Sequence, residues 1–346
     1  MKSKITSLMN RGKRDSNLIR LLIILAISFA VMAVLQPNIF LTKKYIVSML
    51  FLFPEYGILA LAMMLAMISG GIDLSVIATA NFSGIIAIQF LQRFYTEGSS
   101  GAVTVLFLIA AVAIAVAVGA CCGALISTFI GIIGIPPMLA TLGGADLIMG
   151  LSLIITKGSS VNSIPSFVSE IGTKTLFGIL PITVVVFAVC ALIVSYALSK
   201  TSYGIKLRMM GSNPTASKFS GINNTEIIFK TYMFSGMLAA IAGLLLISRA
   251  NSARADYGAS YVMQAIIICV LGGTNPNGGF GKVGGVTVAI LILQVLSSGF
   301  NMFPQMSNFY RSIIWGVVLI LVVIYNHISE NRRLKRMAKQ SENKQK

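Results

Sequence analysis

A glycine-rich stretch late in the chain, GFGKVGGV from Gly279 to Val286, has the spacing of two nucleotide-binding motifs. A dinucleotide fingerprint and a kinase glycine-rich loop share its pattern, G-x-G-x-x-G. Neither motif fits here, because no strand and helix unit surrounds it and no H-R-D or D-F-G sequence occurs elsewhere. Lys282 also lacks the following Ser or Thr and the earlier glycine that a phosphate loop requires. We therefore expect close backbone packing, and no ATP bound by this chain.

Other residues that could perform chemistry are few. Only 11% of the 346 residues are charged, and 56% are hydrophobic. The four cysteines, Cys121, Cys122, Cys190 and Cys269, lie in apolar runs without C-x-x-C spacing, which argues against a metal site or a disulfide framework. No pair of catalytic acids is recognisable. The sequence therefore predicts no catalytic and no metal-binding residues.

Apolar runs of about 20 residues, the length that crosses a bilayer, recur along the chain and predict an all-α polytopic membrane protein. Ten spans are predicted, at 18–36, 45–68, 72–92, 102–132, 136–156, 179–199, 226–248, 262–273, 283–300 and 308–327. The eighth is too short to cross alone and glycines follow it, so we expect a broken or re-entrant element there. Depending on how that element is counted, the total becomes nine or eleven.

The net charge of +17 follows the topology rather than one binding face, which argues against a nucleic-acid partner. Basic residues cluster before the first span and after the last, so both termini are predicted to be cytoplasmic, in the cell membrane. The expected divisions are a basic tail at 1–17, a transmembrane domain at 18–328 with a cytoplasmic loop at 200–225, and a basic tail at 329–346. A cleaved signal peptide is the alternative for the first span.

Three acids lie within or beside predicted spans, where an ionisable group costs about 2.5 to 3.5 kcal/mol on insertion scales. Asp73 is predicted either to cap the helix after it or to line a pathway. Glu55, after Pro54, either satisfies backbone freed by the proline or faces a cavity. Asp146 also needs a reason for its position.

Neutral polar groups on several spans could offer hydrogen bonds to hydroxyls, although contacts between helices are the alternative for each. These groups are Asn81, Ser83, Gln89, Thr141 and Gln264. No paired Arg or Lys is recognisable at mid-membrane, which favours a neutral polyol or sugar over an anion. The candidates for a translocation pathway are Asp73, Asn81, Ser83 and Gln264.

The polar stretch MGSNPTASKFSGIN, Met210 to Asn223, predicts a short helix between two spans. Asn213 followed by Pro214 is typical of a helix start, and Gly221 of a helix stop. An ordinary solvated turn is one interpretation. A surface on which a partner protein pushes is the other.

Four motifs in order resemble the ribose, xylose and galactoside type of ATP-binding cassette importer permease, which also takes autoinducers, over about Tyr45 to Val323. They are GGIDLSVIATANFSG (Gly70 to Gly84), MLATLGG (Met138 to Gly144), YGIKLRMMGSNPTASKFSGIN (Tyr203 to Asn223) and CVLGGTNPNGGFGKVGG (Cys269 to Gly285).

The resemblance implies an importer subunit for a monosaccharide or sugar-like solute. The residues it assigns to coupling with an ATPase are Gly204, Gly211, Asn213, Pro214, Ala216 and Gly221. The structural glycines it assigns are Gly70, Gly71, Gly272, Gly273, Gly284 and Gly285. The partners it implies are a cytoplasmic ATPase that uses ATP and Mg, a second permease subunit and an external solute-binding protein. The alternatives are an ion-coupled secondary transporter and, less favoured, an intramembrane enzyme.

Overall fold

The computed structural model describes residues 2–176, 178, 180–303, 313, 314, 316–318, 320, 321 and 324, with side chains from residue 18 onward. Its helices are α1 (Lys2–Leu35), α2 (Pro37–Phe40), α3 (Lys43–Ile68), α4 (Val76–Phe94), α5 (Gly101–Thr128), α6 (Pro137–Thr156), α7 (Ser166–Thr173), α8 (Ile182–Lys200), α9 (Ser202–Ser212), α10 (Pro214–Phe219), α11 (Asn224–Ala250), α12 (Tyr261–Leu271) and α13 (Val283–Asn301). A π-helical segment, Phe129–Ile133, continues α5. A short antiparallel hairpin pairs β1 (Thr175–Leu176) with β2 (Leu180–Pro181).

Seven helices in the described part of the chain are long and apolar enough to cross a bilayer. They are α1 from Leu18, α3, α5 with its π-helical continuation, α6, α8, α11 and α13. The predicted all-α polytopic architecture is therefore confirmed. The tenth predicted span, 308–327, falls mostly outside the described residues, so the total of ten stays a prediction.

The predicted broken element is α12, which has 11 residues. At a rise of 1.5 Å per residue it is about 16 Å long, roughly half of a hydrocarbon core. A non-helical segment, 251–260, precedes it, and the glycine-rich turn 272–282 follows it. The prediction that this region cannot cross as one continuous helix is confirmed.

Helix α3 forms the centre of the molecule. In the most apolar 18-residue stretch of α3, 83% of the residues are buried. The same share is 28% in each of α5, α6 and α8, whose other faces point outward. Helices α8, α11, α12 and α13 pack directly against α3, while α1 packs against α13. Apolarity alone does not account for this position, because α5 is more apolar and yet faces outward; α3 carries Glu55, whose carboxylate would be costly to expose to lipid.

Helix α11 runs alongside α3 in the opposite direction and extends past its end. Ser235 of α11 bonds to Asp73, just after α3 ends, and Arg249 of α11 bonds to Glu55 at the middle of α3. The first turns of α11, from Asn224 to Tyr232, therefore project beyond Ile68. They carry α10, and we call this side of the molecule the α10 end.

Candidate functional site

The predicted short helix is present at the α10 end. The side-chain oxygen of Asn213 accepts a hydrogen bond from the Ala216 N–H at 2.9 Å, and Pro214 occupies the first helical position. Gly221 has φ +78°, the left-handed conformation that ends the helix. The start and the stop predicted from the sequence are both confirmed, while the coupling role of these residues remains a prediction.

A second asparagine, Asn224, closes this segment. The Asn224 amide donates to the Pro214 carbonyl at 2.8 Å and accepts from the Ser217 hydroxyl at 2.7 Å. Asn223 caps α11 by accepting from the Glu226 N–H at 3.2 Å. These bonds fix α10 to the start of α11. The signal that could have identified them was a pair of adjacent asparagines before an apolar run.

Helix α10 turns its outer face fully into the surroundings. Phe219 is 90% exposed, and Asn213, Pro214 and Ala216 are also exposed, whereas Ser217 is buried against the molecule. Phe219 is therefore a large aromatic side chain that stands exposed on a short capped helix. It gains nothing from packing inside this chain.

The base of this segment packs backbone against backbone. A Cβ added at Gly211 would lie 1.8 Å from the Ile68 carbonyl oxygen and 2.7 Å from the Gly279 nitrogen. One added at Gly278, where φ is +95°, would lie 2.4 Å from the Gly211 oxygen. The Gly279 N–H donates to the Ile68 carbonyl at 2.9 Å. We call this meeting of Ile68, Gly211, Gly278 and Gly279 the glycine junction.

The glycine junction joins three motifs that are far apart in sequence. Gly70, with φ +90°, ends α3 beside it.

Helix α9 is held against α11 by a hydrogen bond of 2.9 Å between the Tyr203 and Thr231 hydroxyls. Burial raises the pKa of Tyr203 to about 12, so this side chain stays neutral at physiological pH. Gly204 approaches the Leu198 backbone, where a Cβ would lie 2.3 Å from its carbonyl oxygen.

The other glycines predicted to be structural also lie at element boundaries. Gly272 and Gly285 face each other, since a Cβ on Gly285 would lie 2.1 Å from the Gly272 oxygen. Gly71 packs against Pro137 and Tyr232, and Gly273 has φ +87°. Gly284 has only Leu18 Cδ1 within reach, at 3.5 Å, so packing does not demand a glycine there.

Three of the four pathway candidates are buried and use their polar groups inside the protein. The Asp73 carboxylate accepts from the Ser75 N–H and hydroxyl, at 3.1 and 2.6 Å, and from the Ser235 hydroxyl at 2.9 Å. Ser75 is the residue before α4 begins, so these bonds order the turn that leads into the helix and do not cap its first N–H groups. Asn81 donates to the carbonyls of the 251–260 segment, and the Ser83 hydroxyl donates within its own helix at 2.6 Å.

The structure answers the question of Glu55 differently from both sequence alternatives. Its carboxylate is 1% exposed and binds the Arg249 guanidinium through both oxygens, one of them at 3.0 Å. The pair lies at the middle of α3, beside the edge-to-face rings of Tyr56 and Tyr261. Sequence reasoning missed Arg249 because its partner is 194 positions away.

The fourth pathway candidate, Gln264, is only half-buried. It lines a narrow crevice between α3, α12 and α13, together with Tyr56, Gln294 and Ser297. Asp146 is exposed at the middle of α6. In the described part of the chain, no group of three or more His, Cys, Asp or Glu side chains is arranged to hold a metal ion.

Comparison with known proteins agrees with this architecture. Residues 45–323 match the family described as branched-chain amino acid transport system / permease component. The chain is similar to the autoinducer 2 import system permease protein LsrD of Yersinia enterocolitica, with 32% identity over 80% of this chain and 82% of the relative. The Yersinia pseudotuberculosis protein of the same name is 34% identical over 80% of this chain and 81% of the relative. No solved structure matches the chain.

The matched range agrees with the one inferred from the four motifs, so the resemblance to importer permeases is confirmed. Together with the seven apolar helices, it makes the protein a multi-pass membrane transport component rather than an enzyme. The chain belongs to the family of branched-chain amino acid transport system permease components.

Proposed function

We propose that this permease imports a neutral, hydroxylated solute such as a monosaccharide, and that a separate cytoplasmic ATPase drives it by docking on α10. The observation that carries the proposal is the combination of an exposed Phe219 with a rigid base. A short helix that is capped at both ends and fixed to the glycine junction is connected directly to the end of α3 and to the turn that follows α12. Force applied to α10 therefore reaches the helices at the centre of the bundle.

The charge around α10 supports an acidic docking partner. Lys218 projects beside Phe219, and both are exposed. Arg208 lines a shallow groove between α9 and α10 with Ser212, Ser217 and Ser220. The Arg208 guanidinium donates to the Gly281 carbonyl at 3.4 Å, while its buried Nε–H has no partner in the described chain. A matching surface would combine an apolar slot for Phe219 with carboxylates near these basic groups.

The solute class rests on the polar groups of the spans and on the relatives. The described ion pair at the middle of α3 neutralises Arg249, which leaves no free cation there to attract an anionic solute. The relatives are named for the import of autoinducer 2. The ion-coupled alternative gains no support, because Glu55 is paired with Arg249 and Asp73 is bonded to serines.

The contacts of the glycine-rich turn support the proposal that a partner, and not this chain, binds ATP. The Gly279 N–H, which a phosphate loop would point at a nucleotide, already donates to Ile68. We therefore expect the purified chain neither to bind nor to hydrolyse ATP. Saturable nucleotide binding that is lost in Lys282→Ala would contradict this part of the proposal.

Orientation is tested with single cysteines in intact cells and in inverted vesicles. Cysteines at Asn10, Ser212 and Ser341 should react only from the cytoplasmic side, and one at Ser169, which precedes β1, only from outside. Labelling of position 212 from outside would place α10 away from any ATPase and would overturn the docking role.

Docking is tested with Phe219→Ala in the complex of permease, ATPase and solute-binding protein. The exposed ring contributes little to the fold, so membrane levels should match wild type. Loss of a buried aromatic anchor at an interface costs about 2 kcal/mol or more. We expect a matching fall in the amount of ATPase that copurifies. Phe94→Ala, at an exposed aromatic outside the α10 end, is the matched control. Equal copurification by Phe219→Ala and wild type would exclude the docking role.

A further inference from the structure

The crevice beside Gln264 lies next to the midpoint of α3. Tyr261, the first residue of α12, has its ring centroid 4.4 Å from that of Tyr56, which stands at the midpoint of α3. Gln264 is one turn further along α12. The crevice is therefore about equally far from the two ends of α3.

Gln264 has a polar side chain whose bonding capacity is unused. Its amide makes no hydrogen bond with any side chain or backbone group in the described chain, although it sits in a helix of otherwise apolar residues. The side chain is half-buried, so its amide remains available to a molecule in the crevice. Nearby, Gln294 donates to the Ser298 hydroxyl at 2.8 Å, which leaves its amide oxygen open. The site thus offers donors and acceptors that the fold itself does not use.

The segment that precedes Tyr261 is partly exposed at the surface of this chain. Residues 251–260 form no helix, and Asn251, Arg254, Asp256 and Ser260 are exposed. Arg254 and Asp256 form an ion pair with about half of each side chain exposed. Irregular backbone at this depth is stable only where protein covers it or where it lines a water-filled cavity. Protein covers Ala253 and Ala255, whereas a charged pair is costly in hydrocarbon, so we expect water at the exposed side of this segment, next to Tyr261.

We propose that Tyr56, Tyr261, Gln264, Gln294 and Ser297 form a contact site for a neutral, hydroxylated solute on its way through the permease. An aromatic pair beside amide and hydroxyl groups, with apolar walls, suits a sugar-like molecule, which has both apolar faces and hydroxyls. The Glu55–Arg249 pair cancels charge next to the site, which disfavours ionic solutes. This inference rests on the proposed import function.

The crevice is closed in this conformation. The space open to water is ≈ 10 Å³, about enough for one water molecule. A solute can enter only when α12 and α13 move relative to α3. The 272–282 turn joins α12 to the glycine junction. Docking of the ATPase at α10 would therefore be able to move α12 relative to α3.

The first experiment measures access to position 264 in the assembled transporter. Gln264→Cys is treated with a positively charged, membrane-impermeant methanethiosulfonate reagent, without nucleotide and with ATP and vanadate. We expect labelling in at least one state. Ser260→Cys, in the exposed segment, is the positive control, and Ser83→Cys, at a fully buried position, is the negative control. Absence of labelling in both states, or a disulfide that joins the Gln264→Cys positions of two neighbouring subunits, would overturn the site.

The second experiment measures ATP-dependent uptake of D-ribose, D-xylose, D-galactose and glycerol by proteoliposomes. For whichever of these the wild type imports, Gln264→Leu should lower uptake at limiting solute about tenfold, the effect of one lost hydrogen bond. Gln264→Asn should recover part of it, and Gln89→Leu, a half-buried amide on α4, should match wild type. Unchanged uptake by Gln264→Leu would refute the site. Failure of wild type to import any of them with ATP would count against the proposed function, while the labelling result would still decide whether the crevice is reached by water.

Discussion

The glycine junction and the middle of α3 are two places where distant parts of this chain meet, and they are built in opposite ways. At the junction, backbones touch because Gly211, Gly278 and Gly279 have no side chains. At the middle of α3, long polar side chains meet, with Glu55 against Arg249 and Tyr56 against Tyr261. The first contact fixes the relative position of elements, and the second supplies polar groups inside an apolar bundle. Under the proposed function, transmission and recognition would therefore occupy separate regions with different tolerances for change.

The largest effect is expected at the junction itself. Gly211→Val would place its Cβ 1.8 Å from the Ile68 carbonyl oxygen, so the backbones must separate. We expect loss of transport and a severalfold drop in the amount of protein in the membrane, measured by uptake and immunoblot. Gly143→Val, in α6 with no atom within 4 Å of its added Cβ, is the matched control and should be tolerated. Normal transport by Gly211→Val would show that the junction is not a rigid contact.

The second prediction concerns charge at the middle of α3. Glu55→Leu leaves the Arg249 guanidinium without its partner in a low-dielectric site, which costs about 3 to 5 kcal/mol. Thermal unfolding in detergent should show a clear loss of stability. The double variant Glu55→Leu with Arg249→Met should recover most of that loss, because no charge is then left unpaired.

Asp146→Leu provides the contrast for the same substitution. Asp146 is exposed on α6 and forms no ion pair in the described chain, so its removal should leave stability unchanged or higher. If Glu55→Leu were as harmless as Asp146→Leu, the ion pair would not stabilise the fold.

How well the sequence predicts each region depends on whether its contacts are local or join distant positions of the chain. Asn213, Pro214 and Gly221 act on their immediate neighbours, so local rules found the bounds of α10. The broken element was equally visible, because a short apolar run followed by glycines cannot span a bilayer.

Contacts between distant positions were less accessible. That Gly211 touches Ile68, or that Glu55 pairs with Arg249, depends on how helices pack, and no local pattern encodes the register between α3 and α11. For Asp73 the sequence left capping and pathway lining open, and its bonds to Ser75 were decided by the turn that follows α3. Gln264 could be predicted as a pathway candidate because an amide is conspicuous in an apolar run.

The third prediction separates shape from stability at the α10 end. Gly221 has φ +78° and no atom within 4 Å of an added Cβ, so Gly221→Val strains the turn without a clash. A left-handed conformation costs a residue with a Cβ about 1 to 2 kcal/mol. The end of α10 should shift or fray. We expect normal membrane levels with uptake uncoupled from ATP hydrolysis, measured as solute-stimulated ATPase activity and transport in the reconstituted complex. Fully coupled transport would favour an ordinary solvated turn.

The smallest effect is expected for Lys218→Gln. Lys218 lies on the exposed side of α10 and makes no ion pair within the described chain. Glutamine keeps a similar length and helix propensity, so the shape of α10 is preserved and only one positive charge is lost. An exposed charge acts mainly on the rate at which an acidic partner arrives, and screening removes most of that effect beyond about 8 Å at physiological ionic strength. Lys218→Gln should therefore weaken association with the ATPase severalfold at low salt, converge with wild type as salt rises, and leave the ratio of uptake to ATP hydrolysis unchanged. Titration of ATPase binding against salt, with that ratio measured in parallel, tests this. A changed ratio would mean that charge as well as shape transmits force through α10, and the separation drawn here between the two regions would fail.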